Sequence, residues 1–186
     1  MALDFPASPT LNQVYTSGNK SWIWNGTGWA ANNTIGTTLT VAGVQQIINK
    51  TFISPQEVWT ISATSATGTV NYDITTQGIL YYTTAASANF TLNFRGSSSV
   101  TLKSWLPVGQ SVNVIFVNTT TTAYAPTTFT IDGGTANAVT VTPKWQNGVI
   151  PTGNSNSIDM YSFEIVKTVE GTTPTYQVFA NTVRYA

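Results

Sequence analysis

A chain of 186 residues with seven basic and seven acidic side chains, no cysteine and no histidine is long enough to bury a core of its own. It lacks the commonest general base, the thiolate and the usual transition-metal ligands. Charged residues make up 8%, against about a quarter in an ordinary domain, so the chain is too poor in cations to neutralise a run of phosphates, and nucleic acid is excluded as a partner.

Thr, Ser, Asn and Gly fill the deficit of charge, and aromatic residues reach 12%; that is the composition of strands with one apolar and one polar face. No apolar run approaches the roughly eighteen residues that span a bilayer. The opening residues MALDFPASP carry no basic stretch followed by an apolar one, so neither a signal peptide nor membrane insertion is expected.

In chain order, residues 1–31 read as a small unit. Pro6 and Pro9 keep the entry extended. Val14–Thr16 and Ser21–Trp24 are short strands around a Ser17-Gly18-Asn19 turn, and Asn25-Gly26 is a strong hairpin signal before Thr27–Trp29. On a strand, Trp22 and Trp24 share a face while Ile23 takes the other. Trp22, Trp24 and Trp29 are the candidate partner-binding residues, because exposed tryptophans are favoured interface anchors. Stacking on a sugar and serving as the core of a tiny meander are the other readings.

Residues 32–58 read as a connector. Val41, Val44, Ile47 and Ile48 recur at helical spacing, and Val41, Val44 and Ile48 form the candidate oligomer seam; a surface segment packed on its own domain is the alternative.

Residues 59–186 alternate apolar and polar at period two in segment after segment: Val70 to Ile74, Phe90 to Phe94, Phe129 to Ile131, Val139 to Val141 and Tyr161 to Ile165. Val112 to Val117 is more continuously apolar and predicts a central strand. Ser99 is the expected cap of a short helix with Leu102, Trp105 and Leu106 on one face. Turns are expected at Thr67-Gly68, Asp132-Gly133-Gly134, Asn147-Gly148 and Glu170-Gly171. Together these predict a mainly β chain: an N-terminal meander, a connector and a C-terminal antiparallel β-sandwich or jelly-roll-like domain.

The chemistry-bearing residues are sparse. Asp132 and Glu170 fall at turns, and Asp73 and Glu164 at outward strand positions, so no acid pair of the kind that cleaves a glycosidic bond is marked. No nucleophile elbow, phosphate loop or dinucleotide fingerprint occurs. Catalytic, cofactor-binding and metal residues are therefore expected to be none, and the chain is read as a non-enzyme. Trp145 is read as a wedge between sheets.

Two stretches carry a resemblance. Phe5-Pro6, Pro9-Thr10, Gln13 and Tyr15, followed by Trp22, Trp24-Asn25-Gly26-Thr27 and Trp29, resemble a short N-terminal module of virion structural proteins from marine and cyanobacterial tailed phages. Asn93-Phe94-Arg95-Gly96, Val108-Gly109-Gln110-Ser111, Ile131-Asp132-Gly133, Thr142-Pro143-Lys144-Trp145-Gln146 and Ser157-Ile158-Asp159 with Tyr161 resemble a C-terminal domain of the same bacteriophage proteins. The resemblance implies a cyanophage structural protein, either a short tail fibre or a capsid decoration. It would be a homotrimer on the virion exterior, assembled in the host cytoplasm, with other virion proteins as partners. A module binding a host-surface glycan at a fibre tip is the alternative, and a polysaccharide-degrading enzyme stands third.

Overall fold

The computed structural model describes residues 4–18, 20–32, 56–133 and 139–185, and the chain divides into two compact units, Met1–Ile53 and Ser54–Ala186. In the first, β1 (Val14–Ser17), β2 (Lys20–Trp24) and β3 (Trp29–Ala31) form an antiparallel sheet in that order. The hairpin expected at Asn25-Gly26 is there. Gly26 takes a positive φ of 96°, where a Cβ would be strained. The Asn25 carboxamide oxygen accepts from the Thr27 and Gly28 N–H groups at 3.0 and 2.8 Å, so the side chain satisfies the turn's backbone.

The second unit is a sandwich of two sheets. Its strands are β4 (Trp59–Ser65), β5 (Gly68–Asp73), β6 (Ile79–Thr84), β7 (Phe90–Arg95), β8 (Ser111–Thr120), β9 (Pro126–Ile131), β10 (Val139–Val141), β11 (Lys144–Trp145), β12 (Ser157–Val169) and β13 (Thr175–Tyr185). Among the described residues one sheet runs β10-β9-β7-β5 and the other β11-β13-β12-β8-β6-β4. From β4 to β9 the chain changes sheet at every connection, so three arches (β4–β5, β6–β7 and β8–β9) stack on one another.

Strands two apart in sequence then pair and run the same way: β4 with β6, β6 with β8, β5 with β7, and β7 with β9 are all parallel. The expected antiparallel pairing holds for β8 with β12, β12 with β13, and β9 with β10. The mainly β sandwich is thus as expected, with mixed pairing inside it.

Period-two alternation turns one face of each sheet inward. Phe94, Phe129, Trp145 and Phe163 meet there, with ring centroids of Phe163 5.1 Å from Phe94, 5.6 Å from Phe129 and 5.9 Å from Trp145. Such rings each bury on the order of 200 Å² and join the two layers; Trp145 is the wedge its sequence context predicts. β8 is central, as its more continuously apolar run predicts.

The short helix α1 (Leu102–Trp105) is capped by Thr101, whose side chain accepts from the Ser104 N–H. Ser99 is not the cap; its N–H donates to the Ser97 hydroxyl instead. Leu102 and Leu106 are buried, while Trp105 remains exposed.

Candidate functional site

Most of the acids are committed to structure. Arg95 holds Asp73 at 2.5 Å across β5 and β7. Asp132, at a positive φ of 52°, is buried and accepts from the Leu102 and Lys103 N–H groups at 2.6 and 3.0 Å. Burial pushes its carboxyl above the ordinary range, with the two N–H groups and Lys167 pulling it back.

Asp159 is buried and accepts from the Asn154 N–H, the Asn154 carboxamide and the Ser157 hydroxyl. Lys167, also buried, donates to the Lys103 carbonyl at 2.6 Å and to Glu170 at 2.5 Å, which holds the Glu170 carboxyl below its ordinary range. The signal for both buried groups is their phase: Asp159 and Lys167 fall in β12 in step with Tyr161, Phe163 and Ile165.

Tyr72 donates to the Gly78 and Ile115 carbonyls, and burial pushes its phenol up to about 12. Burial likewise raises Tyr161 and Tyr176. Groups committed in this way do not offer an acid, a base and a nucleophile converging on one point.

The outer face of the six-stranded sheet is different in kind. Register aligns Ile61, Tyr81, Val117, Met160 and Val183 in one row across five strands, and Trp59, Ile79 and Ile115 in the row beside it. Trp59 and Tyr81 meet edge to face at 6.2 Å. Val117 and Ile79 are buried by their neighbours, whereas Trp59, Ile61 and Val183 keep 47%, 56% and 41% of their surface. No charged side chain stands in either row.

At one corner of the same face, Asn113, Lys144, Gln146, Ser162, Glu164 and Phe179 line a shallow depression of ≈ 460 Å³. The legible signal for this face is an apolar residue out of phase with the core. Ile115 and Val117 alternate with the inward Val114 and Phe116, and Met160 with the inward Asp159 and Tyr161.

The three N-terminal tryptophans come together. Phe5 lies over them, stacked on Trp29 at 5.2 Å and edge-on to Trp22 at 5.4 Å, and Trp24 meets Trp29 at 5.7 Å. Tyr15 completes the cluster against Trp22 and Trp29. All five rings are half-buried; they form the meander's own small core and keep part of their surface. Val41, Val44 and Ile48 lie outside the described residues.

Comparison with known families matches residues 64–162, more than half of the chain, to the sulfocyanin (SoxE) domain, a cupredoxin-like blue-copper domain. No curated protein and no solved structure matches the chain. The family match overturns the phage reading: the chain is not assigned to a tail fibre, a capsid decoration or a virion exterior. The virion partners, the homotrimer and the host-surface glycan, which rested on that resemblance, fall with it.

The residues present do not fit the copper of such a domain. A blue-copper site is built from two imidazoles and a thiolate with a weak axial ligand, often Met, and the chain has no histidine and no cysteine. Among the described residues no three His, Cys, Asp or Glu side chains cluster as a metal site would require. Met160, the one thioether placed, sits on the outer face in register with Val117 and Val183. Fold pattern and matched span carry the assignment without the metal: the chain belongs to the sulfocyanin domain family.

Proposed function

We propose that this chain is a copper-free, non-catalytic docking module that takes up a protein partner presenting an uncharged apolar surface. The carrying observation is the outer face of the six-stranded sheet, with its apolar row five strands wide and its exposed Trp59, Ile61 and Val183. Contiguous apolar patches of this kind on a soluble domain mark interaction sites, and aromatic residues at such a centre carry much of the binding energy. Asp73, Asp132, Asp159 and Glu170 are tied into the scaffold and the metal ligands of the family are missing, so binding is the activity these residues support.

A photo-crosslinking residue at Ile61 tests the proposal in the protein's native extract. A discrete adduct should form there and be lost when Val183→Asp places an unpaired charge in the same row. The same residue at Thr140, in the other sheet, should give none. Equal adducts from both positions, or an adduct indifferent to Val183→Asp, would sink the docking reading.

A further inference from the structure

Both sheets of the sandwich end on the same arch. β4 is the last strand of the six-stranded sheet and β5 the last of the four-stranded one, and only Ala66 and Thr67 separate them. Among the described residues neither edge has a further strand beside it, so two open strand edges lie side by side on one arch of the sandwich. Natural edges are usually blunted with lysine, proline, a bulge or a covering segment. Residues 59–72 contain no charged residue and no proline. Asp73, the first charge, is held by Arg95. The pairing of β4 is irregular between Ser62 and Ser65, but β5 runs in unbroken register with β7 from Gly68 to Asp73.

We infer that this double edge pairs with the double edge of a second copy about a two-fold axis that runs through the sandwich, normal to both sheets. A strand paired with its own symmetry mate across such an axis is antiparallel by construction. One axis serves both sheets because the strand midpoints line up: Ser62 stands four residues before Ala66 and Asn71 four after Thr67. A lone strand from an unrelated partner satisfies one edge and leaves the other open; a second copy supplies both.

β4 has seven residues and β5 six, and pairing them gives on the order of ten backbone hydrogen bonds, typical of an interface. The residues involved are about half the 20–30 a side of a standard interface, so the dimer is reversible, with a dissociation constant in the micromolar range. The surface is a pair of edges that adjoins the apolar outer face through β4, which carries Trp59 and Ile61.

Sedimentation of the full chain from low to high micromolar concentration should show one chain passing to two. Because the chain has no cysteine, Asn71→Cys introduces a single thiol close to its own symmetry mate. It should oxidise to a covalent dimer, while Thr140→Cys, on the far edge strand β10, should not. Val183→Asp should leave both results unchanged, which separates this inference from the outer-face proposal. A chain that stays single at every concentration overturns the inference. So does a reversible dimer without crosslinking through β5, or crosslinking that Thr140→Cys gives as readily.

Discussion

Asp132 shows how one turn residue acts beyond its turn. Asp-Gly at 132–133 announces a turn in which a carboxylate bonds backbone. The N–H groups it accepts, however, belong to Leu102 and Lys103, thirty and twenty-nine residues away, and sequence proximity cannot foresee that. Asp132→Ala leaves two N–H groups without this acceptor at a buried helix start and should cost about 2 kcal/mol or more in urea unfolding. Asp132→Asn keeps an acceptor and a residue type that tolerates the positive φ, so it should cost less.

The pH dependence has a definite sign. Burial raises the folded-state pKa of Asp132, so its contribution to stability is full below the unfolded value of about 3.9 and is lost as pH rises through the folded value. The stability of the wild type relative to Asp132→Asn should therefore fall as pH rises from about 4 and then level off. A relative stability that instead grows with pH over that window would show that the two N–H groups and Lys167 outweigh burial.

At the scale of elements, the strands were legible because apolar residues repeat every second position, and the turns because Gly68, Asp132 and Gly148 take the positive φ their positions demand. Pairing was less legible. Period two tells which face of a strand is buried but not which strand lies beside it, so the parallel arches of β4 to β9 were read as antiparallel neighbours. The loops that close the arches carry tight approaches of their own.

Gly153, between β11 and β12, packs against the loop after β8: a Cβ built there would lie 2.7 Å from the Tyr124 carbonyl oxygen and 2.8 Å from the Ala123 carbonyl carbon. Both are backbone atoms and cannot rotate away. Asn154, the next residue, ties this segment to Asp159 and, through its carbonyl, to Thr120. Gly153→Ala should therefore destabilise by roughly 1–3 kcal/mol, as overpacking does. Gly109→Ala, with open space around its Cβ position but a φ of 78°, should cost about 1 kcal/mol through backbone strain alone. Equal melting temperatures for Gly153→Ala and wild type would show that the loop after β8 yields without cost.

For the whole molecule, the decisive tension is between a family defined by copper and a chain without its ligands. The chain has no imidazole and no thiolate, and because the usual marker of a blue-copper domain is its ligand set, its residue chemistry gives no access to the family. What survives in residues 64–162 is the strand pattern of the sandwich. The oxygen ligands that remain, carboxylates and carboxamides, suit hard cations and not a copper redox couple. The buried Asp132, Asp159 and Asn93 already accept hydrogen bonds from protein donors, which among the described residues leaves the buried Asn118 carboxamide oxygen as a lone acceptor.

Purified protein exposed to Cu(I) or Cu(II) and then desalted should retain no stoichiometric copper, show no blue absorption and give no reversible redox wave. Its melting temperature should be indifferent to chelator, since a ligand at a thousand times its dissociation constant would add about 4 kcal/mol. Met160→Leu should change none of these readouts and should cost less than about 1.5 kcal/mol, as volume-conserving swaps do. Copper that survives desalting at one equivalent and raises the melting temperature would mean a ligand set assembled without histidine or cysteine, and the copper-free reading would have to be abandoned.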